Sequence, residues 1–307
     1  MMRLFLVSVI IVSVYLGSGE ASGEPPRLKL LSADARRAAV DSVKKLGWYA
    51  YEESDPLEDE RIPFFTTSTP ATDADLLMFP GFPSSFGLNL SGSKVTDDGI
   101  KRLAMLEDLR VLHLDAVRSV SDRGMKSLAP IKSLVELHVS SPLITDEGIS
   151  HLARCDTLCK LFISQTTLDD NGLRELAKLP RLQFLDISGT RITNAGLGDI
   201  KQFPALEHLS LGGTSISDDG VERLVGYKKL KSLDLSLTKI TDGGLRHVGK
   251  LENLASLVLM ETMVSDAGLS ELTRLQSLMS LDLSGSKVTD DGVRKLEKAI
   301  PHCKITN

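Results

Sequence analysis

The stretch "QFLDISGTRITNAGLGDIKQFPAL", Gln183–Leu206, contains one whole structural unit of this chain. Leu185 and Ile187 alternate with Phe184 and Asp186, the period of two that marks a strand with one buried face. Gly189 and Thr190 turn the chain. Ile192, Leu197, Ile200 and Phe203 then recur at helical spacing, with Thr193 placed as the helix N-cap. Pro204, and Pro180 one unit earlier, stand where a helix must end. Strand, turn, helix and return leave a single apolar face that one unit cannot bury alone, so copies must stack.

The copies are there. The decapeptide "LSGSKVTDDG" occurs at Leu90–Gly99 and again at Leu283–Gly292, 193 residues on, which is eight steps of 24 and one residue over. Degenerate versions fill every step between: "SSPLIT" from Ser140, "SQTTLD" from Ser164, "SGTRIT" from Ser188, "GGTSIS" from Gly212, "SLTKIT" from Ser236 and "METMVS" from Met260. The extra residue falls in "DAVRSVS" from Asp115. A fixed period of this length is the mark of a solenoid. An Asp follows the N-cap hydroxyl in most units (Asp97, Asp146, Asp218, Asp242, Asp290), where the helix dipole favours negative charge.

Leu206-x-x-Leu209-x-Leu211-x-x-Thr214-x-Ile216 resembles the leucine-rich repeat consensus, with Thr in the Asn/Cys slot. The following "SDDGV" and "TDGGL" resemble the ribonuclease-inhibitor-like and cysteine-containing subclass, which also supplies the recognition domains of F-box proteins. Units of the "SGTxITDxGL" kind with a "PHCKI" ending are similar to secreted repeat proteins of planctomycetes. The resemblance runs over roughly residues 86–305. It implies an α/β fold: a right-handed horseshoe of nine to ten 24-residue repeats with a parallel sheet on its concave face.

The ends complete the expected layout. "MMRLFLVSVIIVSVYLGSGEASGEPP" has one basic residue, an apolar run at Leu4–Leu16 and small residues near Ala21 and Gly23, so residues 1–23 read as a secretory signal peptide. Its apolar run is short for a membrane span, although retention as an anchor stays open. Residues 24–61 read as an N-terminal cap, a helix from near Ser32 and a strand at "WYAYEE". Residues 62–302 read as repeats, with 62–85 degenerate, and 303–307 as a terminal strand stub. Secretion to the periplasm or cell envelope follows as an expectation.

Composition narrows the function classes. A net charge of −5 with 5% aromatic residues gives no support for nucleic-acid binding. Cys155 occupies a slot held elsewhere by buried Leu, Cys303 belongs to the strand stub, and Cys155 with Cys159 leaves a disulfide open in an oxidising compartment. The recurring hydroxyls Ser93, Thr166, Thr190, Thr214, Thr238, Thr262 and Ser286 suit a structural ladder bonding backbone groups at one corner of the coil. A glycan-bearing or modified stripe is the other reading.

Function is expected on the concave face, in the positions between the buried leucines. The N-terminal rows place His113, His138, Phe162, Phe184, Lys160, Glu136 and His208 as neighbours about 4.8 Å apart. The same rows carry the insertion, which suggests a bulge that re-aims Asp115 and Arg118. This patch is the expected partner-binding surface; drift on an unselected surface is the alternative. His113 and His138 with Glu136 resemble a weak metal pair lacking a fourth ligand, or a pH-sensitive contact, so no metal or cofactor is assigned. Asp234 and Asp282 fall two rows apart, about 10 Å, too far for most paired-carboxylate chemistry. The expectation is a monomeric, non-catalytic scaffold binding an unknown protein. A carbohydrate or envelope-polymer binder using the Ser/Asp half is the alternative, and a ubiquitin-ligase-type recognition domain follows only from the resemblance.

Overall fold

The computed structural model describes residues 31–57 and 60–307. The expected signal segment, 1–23, and the first residues of the expected cap, 24–30, lie outside them. Twelve strands form one open sheet whose order follows the chain: β1 (Trp48–Ser54), β2 (Arg61–Thr67), β3 (Phe86–Asn89), β4 (Leu109–Leu114), β5 (Glu136–Val139), β6 (Lys160–Phe162), β7 (Phe184–Asp186), β8 (His208–Ser210), β9 (Ser232–Asp234), β10 (Ser256–Val258), β11 (Ser280–Asp282) and β12 (Lys304–Thr306). Each repeat returns through a helix on the other side, so the architecture is a right-handed α/β solenoid with the sheet on its concave face. One pair departs from the parallel pattern. β1 and β2 are antiparallel, because the short connection between them allows only a hairpin.

The apolar periodicity explains the rest. Leu185, Ile187, Ile192, Leu197 and Ile200 are fully buried, and their counterparts join them in one core running the length of the coil. Short helices close the units at Asp73–Met78, Asp97–Leu103, Asp122–Leu128, Asp146–Leu152, Asp170–Leu176, Asp218–Leu224, Asp242–Val248 and Asp290–Ala299. Gly196–Gln202 and Leu269–Arg274 wind instead as 3-10 helices. Leu197, Ile200 and Phe203 are three apart, as are Leu269, Leu272 and Leu275, and a three-residue turn stacks them on one face. Ile100, Leu103 and Leu106 have the same spacing in an α-helical unit, so the pattern suits either winding. Among the described residues, no helix is long and apolar enough to cross a membrane.

The first-turn Asp residues do more than face their own helix dipole. Asp97 Oδ1 accepts the Ser121 N–H at 2.8 Å, and its Oδ2 accepts the Ser121 hydroxyl at 2.6 Å. Asp73 holds Thr96 in the same way, Asp122 holds Thr145, Asp170 holds Thr193, Asp218 holds Thr241, Asp242 holds Ser265 and Asp266 holds Thr289. Each carboxylate therefore ties its repeat to the hydroxyl residue that opens the return of the next, satisfying donors that a helix start leaves open. That residue is the helix N-cap at Thr96, Ser121, Thr145, Thr241 and Thr289. The two 3-10 helices start later, after Ala195 and Gly268, so Thr193, expected as an N-cap, stands two residues ahead of the one the structure has. Asn194 shows the logic of the slot. Its Oδ1 accepts from Ser217 N–H at 3.0 Å while its amide donates to the Ser217 hydroxyl at 2.7 Å. The hydroxyl serves either partner because it both donates and accepts.

At the opposite corner, the hydroxyls of Thr166, Thr190, Thr214, Thr238 and Thr262 donate to the carbonyl three residues back, at 2.5 to 3.1 Å. Ser93 and Ser286 instead accept the N–H two residues on. In the row where Pro142 takes the slot, the buried Ser141 hydroxyl donates to Val120 C=O at 2.7 Å. Cys155, Cys159 and Cys303 are all free and buried. Burial pushes the Cys155 thiol up to about 12 and that of Cys159 up to about 11, which keeps both protonated. The disulfide left open by the sequence is not made.

The first turn of the coil has its own closure. The helix Ala33–Lys44, capped by the Ser32 side chain, precedes β1 and packs Val43 into the common core. Beneath it, Trp48, Phe65, Phe79, Phe82 and Phe86 meet in edge and tilted ring contacts of 4.8 to 6.1 Å. Asp55, just after β1, pairs with Arg110 of β4, and both are 1% exposed. Register makes this possible. Phe86 pairs with Leu109 but Gly87 with Val111, so Arg110 bulges out of step and turns to Asp55.

Candidate functional site

The register of β3 to β9 sets two rows on the concave face. One runs Gly87, Val111, Glu136, Lys160, Phe184, His208, Ser232, and the other Asn89, His113, His138, Phe162, Asp186, Ser210, Asp234. Rings from both rows join into one stack. His113 and His138 have centroids 4.1 Å apart, His138 and Phe162 3.9 Å, Phe162 and Phe184 4.7 Å, and Phe184 and His208 5.4 Å. Between Phe162 and Phe184 the stack crosses diagonally from one row to the other. Strand spacing near 4.8 Å brings successive rings into van der Waals range.

Two members escape sequence reading. Phe64 of β2 lies 5.5 Å from His113, and Tyr51 of β1 lies 5.6 Å from Phe64. Phe64 falls at an in-frame apolar slot, which suggests the core, but Phe65 takes the core and Phe64 the concave face. The available signal is Gly87. A Cβ there would sit 2.5 Å from the Phe64 ring, so only glycine lets that ring lie over β3 and reach His113. Asn89 donates to the Tyr51 hydroxyl at 3.1 Å and fastens the hairpin to the same face.

Charge is concentrated beside the rings. Glu136 Oε1 lies 2.8 Å from His138 Nε2 and 3.7 Å from His113 Nε2, while its Oε2 lies 3.5 Å from Lys160 Nζ. Asp115 Oδ2 faces His138 Nδ1 at 3.6 Å and accepts from the Ser91 hydroxyl at 3.4 Å. Burial favours neutral His138, but the carboxylates of Asp115 and Glu136 outweigh it and lift the imidazole to about 9. Burial also works against ionised Glu136, yet His113, His138 and Lys160 hold it well below the usual carboxylate range. His208, at the far end of the stack, shows the opposite balance: burial pushes it down to about 4.

The patch differs from the sequence expectation in two respects. The rings are not broadly exposed, because each covers its neighbour; Phe162 is only 5% exposed. The insertion makes no bulge between β4 and β5, whose pairing runs unbroken from Val111↔Glu136 to Leu114↔Val139; the bulge at Arg110 lies on the β3 side and precedes the insertion. The extra residue is taken up in the exposed turn at Arg118 and Ser119. His113, Asp115, Glu136, His138, Lys160, Phe162, Phe184 and His208 are thus brought together by the ring and charge contacts, whereas Arg118 lies in an exposed turn.

Part of the Ser/Asp half, from β7 to β9, is a closed network, while Ser256, Ser280 and Asp282 further along are half-buried. Asp234 accepts from the Ser236 N–H and hydroxyl and from the Ser210 hydroxyl, and Ser210 meets Ser188 at 2.8 Å. Asp186 and Asp234 are buried, and burial pushes the Asp234 carboxyl upward.

These repeats define a leucine-rich-repeat solenoid. Residues 204–225, 228–247 and 274–296 match the family model described as leucine-rich repeat. Among solved structures, the chain is similar to an internalin (inlF) from Listeria monocytogenes, with 20% identity and a TM-score of 0.52, covering 72% of this chain and 66% of that one. It is also similar to internalin C2 (inlC2) from the same organism, with 24% identity and a TM-score of 0.52, covering 83% of this chain and 92% of that one. At these identities the likeness is one of fold. No curated protein matches the chain. Leucine-rich-repeat proteins are in general non-catalytic scaffolds whose curved sheets serve as extended binding surfaces.

Proposed function

We propose that this chain is a non-catalytic protein-interaction scaffold, secreted to the periplasm or cell envelope, that binds a protein partner through the N-terminal half of its concave face. The ring stack from Phe64 to His208, with Glu136, Lys160 and Asp115 fixed beside it, carries this reading. Stacked rings and paired charges on short parallel strands form a rigid floor, so a partner finds the surface already ordered and loses less entropy on docking. Aromatic groups with adjoining charges are the usual centres of binding energy. Phe184, Lys160 and His208 are half-buried, as are His113, Asp115, Glu136 and His138, and a partner would touch them, while Phe162 lies more deeply buried among them. The signal-like segment supports delivery outside the cytoplasm.

The carbohydrate alternative has less support. Sugar recognition needs carboxylates and hydroxyls free to bond the ligand, whereas Asp234, Ser210 and Ser236 bond one another. Affinity capture from an envelope fraction tests the reading. Wild-type chain should retain a protein, Phe184→Ala/Lys160→Ala should lose it, and Ser256→Ala on β10 should keep it. Retention on polysaccharide unaffected by the double variant would overturn the proposal.

A further inference from the structure

We propose that Glu136, His113 and His138 form a binding site for a divalent transition metal, best suited to zinc, and that Asp115 is a positioning residue for it. One ligand atom from each of the three lies within 4.8 Å of the other two. Glu136 Oε1 is the common point, 2.8 Å from His138 Nε2 and 3.7 Å from His113 Nε2. Metal–ligand bonds of about 2.0–2.1 Å in tetrahedral geometry put ligand atoms roughly 3.3 Å apart. The two separations from Glu136 bracket that value, and the ligand atoms of His113 and His138 lie within 4.8 Å of each other, so a bound cation would draw the three groups inward.

Three further features fit. His113 Nε2 is buried and beyond hydrogen-bond distance of Glu136, so this nitrogen makes no hydrogen bond. The two imidazoles, tilted by 41° with centroids 4.1 Å apart, come from adjacent strands in direct register, His113↔His138, and the ladder holds them side by side. Behind His138, Asp115 Oδ2 faces Nδ1 at 3.6 Å. A carboxylate behind a ligating imidazole fixes its tautomer and raises its basicity, the usual outer support of a zinc histidine.

The donor set selects the ion. Two imidazoles and one carboxylate suit zinc, whereas calcium and magnesium require mostly oxygen ligands. Three protein ligands leave a fourth position toward the concave side. Lys160 Nζ approaches the other carboxylate oxygen, Oε2, at 3.5 Å and leaves Oε1 available. Its ammonium opposes a nearby cation, and its flexible stem lets it swing toward solvent.

Calorimetric titration of the chelator-stripped full chain with zinc chloride tests the site. One equivalent should bind. His113→Gln and Glu136→Gln should weaken it at least about tenfold, and Asp115→Asn by roughly 10- to 100-fold. Lys160→Gln should tighten it, and His302→Gln, at an exposed position near the C-terminus, should leave it unchanged. Cobalt(II) substitution in the wild-type chain gives a readout independent of any variant's folding: intense visible bands of a tetrahedral ion are expected. The absence of saturable binding, undiminished binding in His113→Gln, or only the weak bands of octahedral surface cobalt would overturn the proposal.

Discussion

Asp97 reaches across the repeat boundary to Ser121, holding its N–H at 2.8 Å and its hydroxyl at 2.6 Å, and accepts the Gly124 N–H at 3.0 Å as well. One carboxylate thus makes three bonds in the next repeat. Asp97→Ala should destabilise the fold by about 2–3 kcal/mol, since each lost bond is worth about 1 kcal/mol or more when the acceptor is charged. Asp97→Asn should lose far less, because Asn194 already performs the same task toward Ser217. Chemical denaturation of the two variants measures the difference. Equal losses would remove the case for a repeat-to-repeat tie.

The same tie explains the glycine that follows. A Cβ on Gly148 would lie 2.3 Å from Asp122 Oδ1 and 3.1 Å from the Asp122 backbone. Gly→Ala in an isolated helix gains about 1 kcal/mol. Here the sign should reverse, with Gly148→Ala losing about 1–3 kcal/mol through overpacking. Adding Asp122→Ala to that variant should cost less than Asp122→Ala costs alone. Simple additivity would show that the carboxylate is not what excludes the methyl group.

At the turn after β3, β7, β8 and β11, Gly92, Gly189, Gly213 and Gly285 adopt positive φ; after β4, β6, β9 and β10 the equivalent position is held by Ala116, Gln165, Leu237 and Glu261, with Leu237 at φ 56°. A left-handed leucine is strained by about 1–3 kcal/mol, and at 43% exposure its side chain contributes little burial in return. Leu237→Gly should therefore raise the midpoint of thermal unfolding, against the usual effect of adding glycine. A lowered midpoint would mean that the Leu237 side chain packs to more effect than its exposure suggests.

The period of 24 and the strand alternation were enough to read the coil, because burying one apolar face leaves a repeated unit few other arrangements. The Asp ladder was visible only as first-turn charge; its partner lies about 24 residues away and becomes a neighbour only once the coil is closed. Three-residue spacing could not separate α from 3-10 winding. On the concave face, the two rows follow from register. The diagonal step from Phe162 to Phe184 and the entry of Phe64 over Gly87 depend on side-chain direction, which periodicity does not carry.

His208 ties stability to acid. Its folded value near 4 lies below the ordinary value of 6.5, and burial is the main cause; Glu207 opposes the shift, while Lys231 and Lys160 add to it. Between those values the unfolded chain binds the extra proton, so stability should fall as pH drops from about 6.5 toward 4. His208→Gln should flatten that part of the profile, read as unfolding midpoint against pH. An unchanged slope would place the acid sensitivity elsewhere.

The most direct test of the concave-face assignment is a paired binding measurement on a captured envelope protein, comparing wild-type chain with Phe184→Ala/Lys160→Ala at matched thermal stability. The account predicts at least a tenfold loss of affinity in the double variant and none in Ser256→Ala. Equal affinity for wild type and the double variant would contradict it and place the partner on another face of the coil.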